Sequence, residues 1–352
     1  MNTNVQLRDM LPGEAEILLK IGKQFFSPIE RMGMPIPQNA LVAAVDGNIA
    51  GALFYKVFEG KNAAPVVYID LAYVVKEYRG MGIGELLYHT GIERIKEQGY
   101  ETITAMVADD NAASWKLFGK EGFERASFTE MVKALGFVGS LKLWVHTIYC
   151  ISCGMNMWAS IVAKSRKSWS EIATFLALNM LLITPFSIIY GHLNRQSPLP
   201  ALLAYLSVLA ISIVSGFIGC LTVKERWRFG FTRGGLLISL PLQLFGIIFP
   251  VMGRWYPSRF NKTKHNRKIL GIEAVVEWLG LLSFSVISLI NSEGSIYWQW
   301  MNSFLNAMLF YHIAAIFPFA HFGGRRVLNW SKGLYILLVI LSLVQIGFSL
   351  FR

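Results

Sequence analysis

The chain has 352 residues, of which 54% are hydrophobic, and it carries a formal net charge of +11. Its three cysteines are too few for a disulfide framework or a zinc-finger array. Residues 1–140 hold 14 Lys plus Arg and 17 Asp plus Glu, whereas residues 141–352 hold 19 and 5. This division predicts a polar first domain, residues 1–148, and a basic, apolar second domain, residues 149–352.

Extended and helical patterns alternate along the first domain. The second and third predicted strands are joined at Asp46-Gly47-Asn48, a hairpin signal, and the first helix opens with acidic Glu14 after Pro12. The predicted strands are Val5–Arg8, Ala40–Asp46, Ile49–Glu59, Val66–Val75, Glu101–Ala108 and Leu141–His146, with a helix from Pro12 to Phe26. This order predicts an α+β fold.

A glycine-rich run, Tyr78-Arg79-Gly80-Met81-Gly82-Ile83-Gly84, follows the fourth strand and precedes a helical pattern. Glycine permits positive φ and lets a phosphate approach the backbone amides, while the start of a helix adds partial positive charge. Arg79 can face the same phosphates. A plain glycine turn is the alternative interpretation, because this pattern alone is weak.

A second run, Asn111-Ala112-Ala113-Ser114-Trp115-Lys116-Leu117-Phe118-Gly119-Lys120-Glu121-Gly122-Phe123, follows the next strand. Together the two runs resemble the acetyl-coenzyme A site of the GNAT acyltransferases, and the resemblance covers about residues 3–148. It implies the α+β GNAT fold, with a central mixed β-sheet and flanking helices, and acetyl-coenzyme A as cosubstrate without a metal.

The resemblance also implies roles for individual residues. Asp70 is the candidate general base that removes a proton from the attacking amine, although a solvated or salt-bridged strand carboxylate is an equally acceptable interpretation. The residues expected to hold acetyl-coenzyme A are Tyr73, Val74, Lys76, Arg79, Gly80, Gly82, Ile83, Gly84, Asn111, Ser114 and Phe118. Many relatives have Tyr where Phe118 stands, and Phe cannot donate a proton to the leaving thiolate.

Two loops would contact the amine acceptor in this family, at about residues 27–38 and 128–139. Neither loop has a diagnostic sequence pattern. The sequence therefore predicts an amine-bearing acceptor without identifying it.

The second domain contains long apolar runs that can each cross a bilayer core of about 30 Å as a helix. Five are uninterrupted: Ile172–Tyr190, Leu199–Val223, Ile269–Ile290, Gln299–Ala320 and Leu334–Phe351. A sixth run, Gly235–Met252, is interrupted by Pro241 and Pro250. The pattern predicts an all-α transmembrane domain with about five crossings and one re-entrant or broken helix. No cleavable signal peptide is expected, since the N-terminus is polar.

Short loops rich in Lys and Arg stay on the cytoplasmic side, so their count predicts topology. If the sixth run enters and leaves on one side, 16 such residues are cytoplasmic and only Arg195 and Arg352 lie outside. If it crosses, the count becomes 8 and 10. A further crossing at Leu143–Ala163 would put Lys164, Arg166 and Lys167 outside, so that stretch is interpreted as a strand plus an interfacial segment. The chain is thus predicted to be a multi-pass membrane protein with a cytoplasmic N-terminal domain.

Membrane lipids are the second predicted partner. The basic loop Arg254–Lys268 is expected to face anionic headgroups, and its Trp255 and Tyr256 give little support for nucleic acid binding, so no nucleic acid partner is predicted. Cys150 and Cys153 are spaced like a redox or metal pair, but a structural role is favoured because only Cys220 remains elsewhere.

The second domain also faintly resembles the site-2-type membrane metalloproteases, at Arg226–Gly230 and at Ile316–Trp330. It has no His-Glu-x-x-His pair, and Gly323 stands where that family has a metal-ligand Asp. The resemblance implies a domain that binds or scaffolds and is not an active metalloprotease.

Polar residues inside the apolar runs are further candidates for function. Glu273 and Glu277 share a helix face, and Asn306 and His312 lie on a later run. They indicate either a polar cavity for a substrate or ion, or hydrogen bonding between helices, and the second is favoured.

Two functions are consistent with these features. The first is a membrane-tethered N-acetyltransferase that modifies an amine of a small molecule, peptide or protein. The alternative is an acyl-coenzyme A sensor that regulates a non-catalytic membrane binding or transport domain, and Phe118 is the feature that favours it.

Overall fold

The computed structural model describes residues 5–26, 31, 34–58, 65–149, 152–160, 167–234, 236–258, 263–316 and 319–351. It divides into two units. The first comprises Met1–Val107, Ala113–Thr147 and Asn156–Ser165, and the second comprises Ala108–Ala112, Ile148–Met155 and Arg166–Arg352. The last strand of the first unit therefore begins after residue 148, where the sequence predicted the domain boundary.

The first unit is built on a seven-stranded sheet with the order β1-β2-β3-β4-β5-β7-β6. Strands β1 to β4 are antiparallel neighbours, whereas β4 and β5 are parallel, so the sheet is mixed. The strands are β1 (Val5–Asp9), β2 (Asn39–Val45), β3 (Asn48–Phe58), β4 (Val66–Val74), β5 (Thr102–Ala108), β6 (Glu124–Arg125) and β7 (Met155–Ala159), with helices α1 (Ala15–Lys23), α2 (Ile83–Glu97), α3 (Ala112–Lys120) and α4 (Phe128–His146).

Strand β4 separates from β5 next to Asp70. In the pairing of β3 with β4, Phe54 lies opposite Leu71 and Tyr55 lies opposite Ile69, so Asp70 is the extra residue of a β-bulge. The described parallel pairing of β4 with β5 runs from Val66 to Ile69 and ends there. Beyond the bulge, β4 stays paired with β3 while its other edge is open. Strand β4 therefore separates from β5 beyond Ile69.

The prediction of a strand at Leu141–His146 is wrong, because these residues form the end of helix α4. A capping box starts this helix: the Ser127 hydroxyl accepts a bond from the Glu130 amide, and the Glu130 carboxylate accepts one from the Ser127 amide. The last strand of the sheet along the chain is instead β7, which pairs with β6. Alternating apolar and polar residues in Leu141–His146 are typical of a strand. The signal for a helix, the capping box, lies upstream of that stretch.

The second unit is mainly helical. Four of its helices are long and apolar enough to cross a membrane: α5 (Ser168–Leu193), α6 (Leu199–Leu221), α8 (Thr263–Asn291) and α11 (Lys332–Leu350). They coincide with four of the five uninterrupted runs. The remaining uninterrupted run, Gln299–Ala320, overlaps α9 (Ile296–Ile313), whose 18 residues extend about 27 Å, and residues 314–316 after this helix are not helical. The fifth crossing therefore stays a prediction.

The proline-interrupted run has both ends at one place. Strand β8 (Trp227–Phe231) precedes it, strand β9 (Gly253–Pro257) follows it, and the two form an antiparallel two-stranded sheet. Between them, helix α7 (Leu236–Leu244) has nine residues and extends about 14 Å. This segment leaves the small sheet and returns to it, as a re-entrant segment would. The unit ends with α10 (Gly324–Trp330) and α11.

Candidate functional site

The glycine turn before α2 has an open backbone. Gly80 and Gly82 adopt φ values of 87° and 78°, in the left-handed region that favours glycine, and Gly82 is the N-cap of α2. No atom lies within 4 Å of the position that a Cβ would occupy on either residue. The turn therefore leaves space above backbone amides at a helix start, where an anion is favoured.

Gly84 joins three predicted parts of the site. A Cβ on Gly84 would lie 3.6 Å from Val74 Cγ2 on β4 and 3.9 Å from Leu117 Cδ1 on α3. The turn, the end of β4 and helix α3 thus come together at this residue. Ile83 is buried below the turn, and Lys76 begins the short 3₁₀ turn that leads to it.

Arg79 is not aimed at the glycine turn in this structure. Its Nε donates to the Val74 carbonyl at 3.2 Å, and its guanidinium lies 5.2 Å from the centre of the Phe25 ring. Phe25 in turn stacks on Tyr73, whose hydroxyl donates to the Leu18 carbonyl at 2.9 Å. The side chain of Tyr73 therefore fixes α1 on β4. Its backbone is the part that could bind acetyl-coenzyme A as predicted.

Asp70 lies at the bulge where the edge of β4 opens. Its Oδ2 is 2.6 Å from Nζ of Lys56 on β3, and both side chains are largely buried. The ion pair is consistent with a structural role of the Asp70 carboxylate. The location of Asp70 at the opening is consistent with a catalytic role. Both interpretations therefore remain predictions, and Lys56 is a residue that the sequence did not single out.

Phe118 belongs to an aromatic cluster in the core. Its ring is 2% exposed and makes an edge contact with Tyr88 at 4.9 Å between ring centres, with Phe123 and Trp158 on other sides. Tyr88 hydrogen-bonds Ser114, and burial raises the pKa of Tyr88 to about 12. The phenol next to Phe118 is therefore protonated at neutral pH. The helical spacing of Tyr88 indicates only a core residue, so no functional role is predicted for it.

Asn111 lies in the segment Ala108–Ala112, which belongs to the second unit. Its amide donates to the Ala108 carbonyl at 3.1 Å, directly before α3. The two preceding carboxylates are held by arginines: Asp109 accepts from Arg326 at 3.0 Å, and Asp110 accepts from Arg325 at 3.3 Å. Asn329 also donates to Asp110, and the Tyr256 hydroxyl donates to Asp109. These ion pairs fix the turn that carries Asn111.

The same arginines lead to a buried ion cluster, which we define as Glu273, Glu277, Arg254, Arg326 and Asp109. Arg254 Nη1 lies 2.6 Å from Glu277 Oε2 and 3.4 Å from Glu273 Oε2, and Arg326 Nη1 donates to Glu273 at 2.9 Å. All five residues are at most 3% exposed. The cluster connects α8, β9, α10 and the Asn111 turn inside the second unit.

Further polar groups surround the buried ion cluster. Ser212 on α6 donates to Glu277 at 2.5 Å, and His312 Nε2 lies 3.3 Å from Arg254 Nη2. Asn306 accepts from Ser285 at 3.0 Å. These contacts match the interpretation of the polar residues as hydrogen-bonding groups between helices.

The expectation that Arg254 faces lipid headgroups is wrong. Its side chain is 1% exposed and donates to the His321 and Phe322 carbonyls at 3.0 and 2.5 Å. A Cβ at Gly323 would overlap the guanidinium of Arg254. Gly323, which stands where the metalloprotease pattern has a metal ligand, therefore leaves room for Arg254. Within the described part of the chain, no three His, Cys, Asp or Glu side chains are placed to hold a metal ion.

Of the predicted cysteine pair, the structure describes Cys153, whereas Cys150 lies outside the described residues. Cys153 is 4% exposed, and burial raises its pKa to about 11. A thiol in this state is a poor nucleophile at neutral pH.

Comparisons with known proteins give a family match in the N-terminal region. Residues 24–123 match the model of the acetyltransferase (GNAT) family. The chain is 32% identical over 82 residues to mycothiol acetyltransferase of Kytococcus sedentarius, which covers 23% of this chain and 26% of that protein. It is 31% identical over 90 residues to N-alpha-acetyltransferase MAK3 of Arabidopsis thaliana, which covers 26% and 47%. The chain thus spans about a quarter to half the length of these curated relatives.

Among solved structures, Arabidopsis thaliana Naa50 in complex with the bisubstrate analogue CoA-Ac-MVNAL superposes with a TM-score of 0.33 at 19% identity, over 46% of this chain and 99% of that chain. The family match covers the glycine turn and α3. The N-terminal region is therefore similar to the GNAT acetyltransferase family over residues 24–123, and its central sheet is mixed.

Proposed function

We propose that the chain is a membrane-tethered N-acetyltransferase, which transfers acetyl from acetyl-coenzyme A to an amine at the cytoplasmic face of a membrane. The observation that carries this proposal is the opening of the sheet at Asp70, next to the open glycine turn before α2. One edge of β4 then has free backbone groups, and amides at a helix start are accessible to phosphates. Both are what an extended thioester with a pyrophosphate requires.

The residues fit acetyl-coenzyme A in the following way. The amides of Gly80, Gly82, Ile83 and Gly84 would bind the pyrophosphate, with Arg79 turning from Val74 toward it. The backbone of Tyr73, Val74 and Lys76 would pair with the pantetheine arm, and one amide would polarise the thioester carbonyl. Asn111 and Ser114 would hold the far part of that arm beside α3.

Bound acetyl-coenzyme A supplies the activated acetyl group. Asp70 would accept the proton of the attacking amine, directly or through a water molecule. Phe118 has no proton to give, so the departing thiolate would be protonated by water or leave unprotonated. The acceptor is an amine of a small molecule, peptide or protein, since the relatives include both mycothiol and N-alpha-acetyltransferases by name.

Coenzyme A release by the purified full-length chain, measured with a panel of amines, tests this function. We expect amine-dependent release that Gly82→Asp lowers by about tenfold or more, because a side chain at positive φ is strained and a carboxylate repels the pyrophosphate. Gly99→Asp is the matched control, since Gly99 also has positive φ and no neighbour within 4 Å. Equal affinity for acetyl-coenzyme A in Gly82→Asp and the parent would move the phosphate site away from this turn.

The alternative function, an acyl-coenzyme A sensor, is favoured by Phe118. It requires binding of acetyl-coenzyme A without turnover. Calorimetric binding that no amine in the panel converts to coenzyme A release would support the sensor and contradict the transferase.

The topology can be tested in the same protein with single cysteines, in a background that lacks Cys150, Cys153 and Cys220. Cysteines replacing Lys224 and Lys264, on the two sides of the proline-interrupted run, are expected to resist an impermeant thiol reagent in intact cells and to react in inverted vesicles. A cysteine replacing Ser295 is expected to behave in the opposite way. The pairing of β8 with β9 supports this expectation.

Labelling of the Lys264 position from outside intact cells would show that the Gly235–Met252 run crosses. It would also reverse the membrane orientation predicted for α8, α9 and α11.

A further inference from the structure

The second half of α4 has an exposed apolar face. Helix α4 is interrupted at Gly136, where φ is 68° and ψ is 167°, and the helical residues after it include four large apolar side chains that remain exposed. They are Phe137 at 60%, Val138 at 69%, Leu141 at 46% and Val145 at 63%. At 100° per residue these four positions fall within an arc of about 100°. We call them the apolar face of α4.

The opposite side of the same helix is packed on the first unit. Ser140 and Leu143 are buried at 0% and 2%, and the His146 ring makes an edge contact with Phe58 on β3 at 5.5 Å between ring centres. The helix is therefore fixed with the apolar face directed away from its own core. Four adjacent exposed apolar side chains form a patch of the kind that marks an interaction site.

The rim of this face has the composition of an interfacial helix. Lys142 is exposed on one side of the arc, and Trp144, which is partly buried, lies on the other side. Residues 131–149 contain Lys133, Lys142 and His146 and no Asp or Glu. Aromatic and basic residues at the edge of an apolar arc suit the headgroup layer of an anionic leaflet.

The chain also keeps this helix near a bilayer if α5 crosses one. Eight residues, 160–167, connect β7 to α5, and at no more than 3.6 Å each they span at most about 29 Å. Strand β7 lies in the same sheet as β3, against which α4 packs. The connection therefore keeps the end of β7 within about 29 Å of the start of α5.

We propose that the apolar face of α4 lies in the headgroup region of the bilayer that the second unit crosses. The proposal rests on the membrane anchoring put forward above and adds a second, peripheral lipid contact. Residues 128–139, predicted as an acceptor loop, form the first part of helix α4. The proposal therefore also places the acceptor side of the first unit at the lipid–water interface. The acceptor amine is then one that is presented at that interface.

The test uses the full-length chain in nanodiscs of phosphatidylcholine and phosphatidylglycerol. An environment-sensitive fluorophore is attached to single cysteines at Val138 or Leu141 in the cysteine-free background. Lys96 on α2 provides a polar control, and Leu343 in the middle of α11 provides a membrane-core control. Quenching is measured with nitroxide lipids that carry the spin label near the headgroup or deep in the acyl chain.

We expect labels at Val138 and Leu141 to be quenched most by the shallow nitroxide, since an interfacial helix is buried about 5–10 Å into the headgroup boundary. The Leu343 label should be quenched most by the deep nitroxide, and the Lys96 label by neither. If Leu343 is quenched and the α4 labels are not, the lipid contact of α4 is wrong while the anchoring stands. If no label is quenched, both are wrong, and coenzyme A release by the same sample still reports whether the transferase function holds.

A protein occupant of this face would give a different result. Labels at Val138 and Leu141 would then be shielded in detergent as well as in nanodiscs, without nitroxide quenching. Shielding that disappears on dilution would indicate a second copy of the chain and would overturn the proposal.

Discussion

Replacing Asp70 with Asn is expected to lower kcat about a hundredfold at neutral pH, with little change in the affinity for acetyl-coenzyme A. The amide keeps the size of the side chain and the bulge in β4, but it cannot accept the proton of the amine. Steady-state kinetics with the acceptor found in the amine panel, together with calorimetry for acetyl-coenzyme A, measures the two effects separately.

Lys56→Met is the matched control for this prediction. It breaks the same 2.6 Å ion pair but leaves the carboxylate of Asp70 in place. If Asp70 is the base, Lys56→Met retains most of the turnover and Asp70→Asn does not. Equal losses in the two variants would show that the ion pair serves the structure, and another base would then have to be sought.

Replacing Arg254 with Met is expected to destabilise the second unit by about 3–5 kcal/mol, because removing one partner of a buried ion pair leaves the other charge uncompensated. Glu277 would keep the Ser212 hydroxyl and lose the guanidinium at 2.6 Å, and the His321 and Phe322 carbonyls would lose their donor. Thermal unfolding in a mild detergent should show this as a clearly lower midpoint.

Arg325→Met is the control in the same unit. The pair Arg325–Asp110 has a distance of 3.3 Å, and the arginine side chain is 42% exposed, so its loss should cost no more than about 1 kcal/mol. The double variant Arg254→Met/Glu277→Gln should recover part of the stability, since it also removes the unpaired charge. Equal midpoints for the Arg254 and Arg325 variants would mean that the buried cluster contributes little to stability.

The parts of the fold that depend on local chemistry could be predicted from the sequence. The hairpin at Asp46-Gly47 is an example, because both residues have positive φ, as a two-residue hairpin turn requires. The glycine turn is another, since Gly80 and Gly82 have the backbone that an anion-binding turn needs. The opening of β4 depends on where its pairing with β5 ends, and no residue pattern within β4 itself indicates that point.

The parts that depend on distant residues could not be predicted. Glu273 and Glu277 were recognised as polar residues on one helix face, but their cations, Arg254 and Arg326, lie 19 and 53 residues from Glu273. The sequence around Arg254 predicts an exposed basic loop, because nothing near it indicates burial. Helix α4 was missed for a related reason: the capping box at Ser127 and Glu130 precedes the stretch where the alternation of Leu141–His146 suggested a strand.

The bulge at Asp70 has a consequence for how the site is encoded. A single inserted residue changes the phase of the pleat between Ile69 and Leu71, and the same residue supplies the candidate base. The shape of the opening and its chemistry are therefore not independent traits. A substitution at position 70 alters the charge and keeps the geometry, whereas a deletion would restore regular pairing with β3 and remove the carboxylate together with the gap. Sequences that lack this residue should lose both properties in one step.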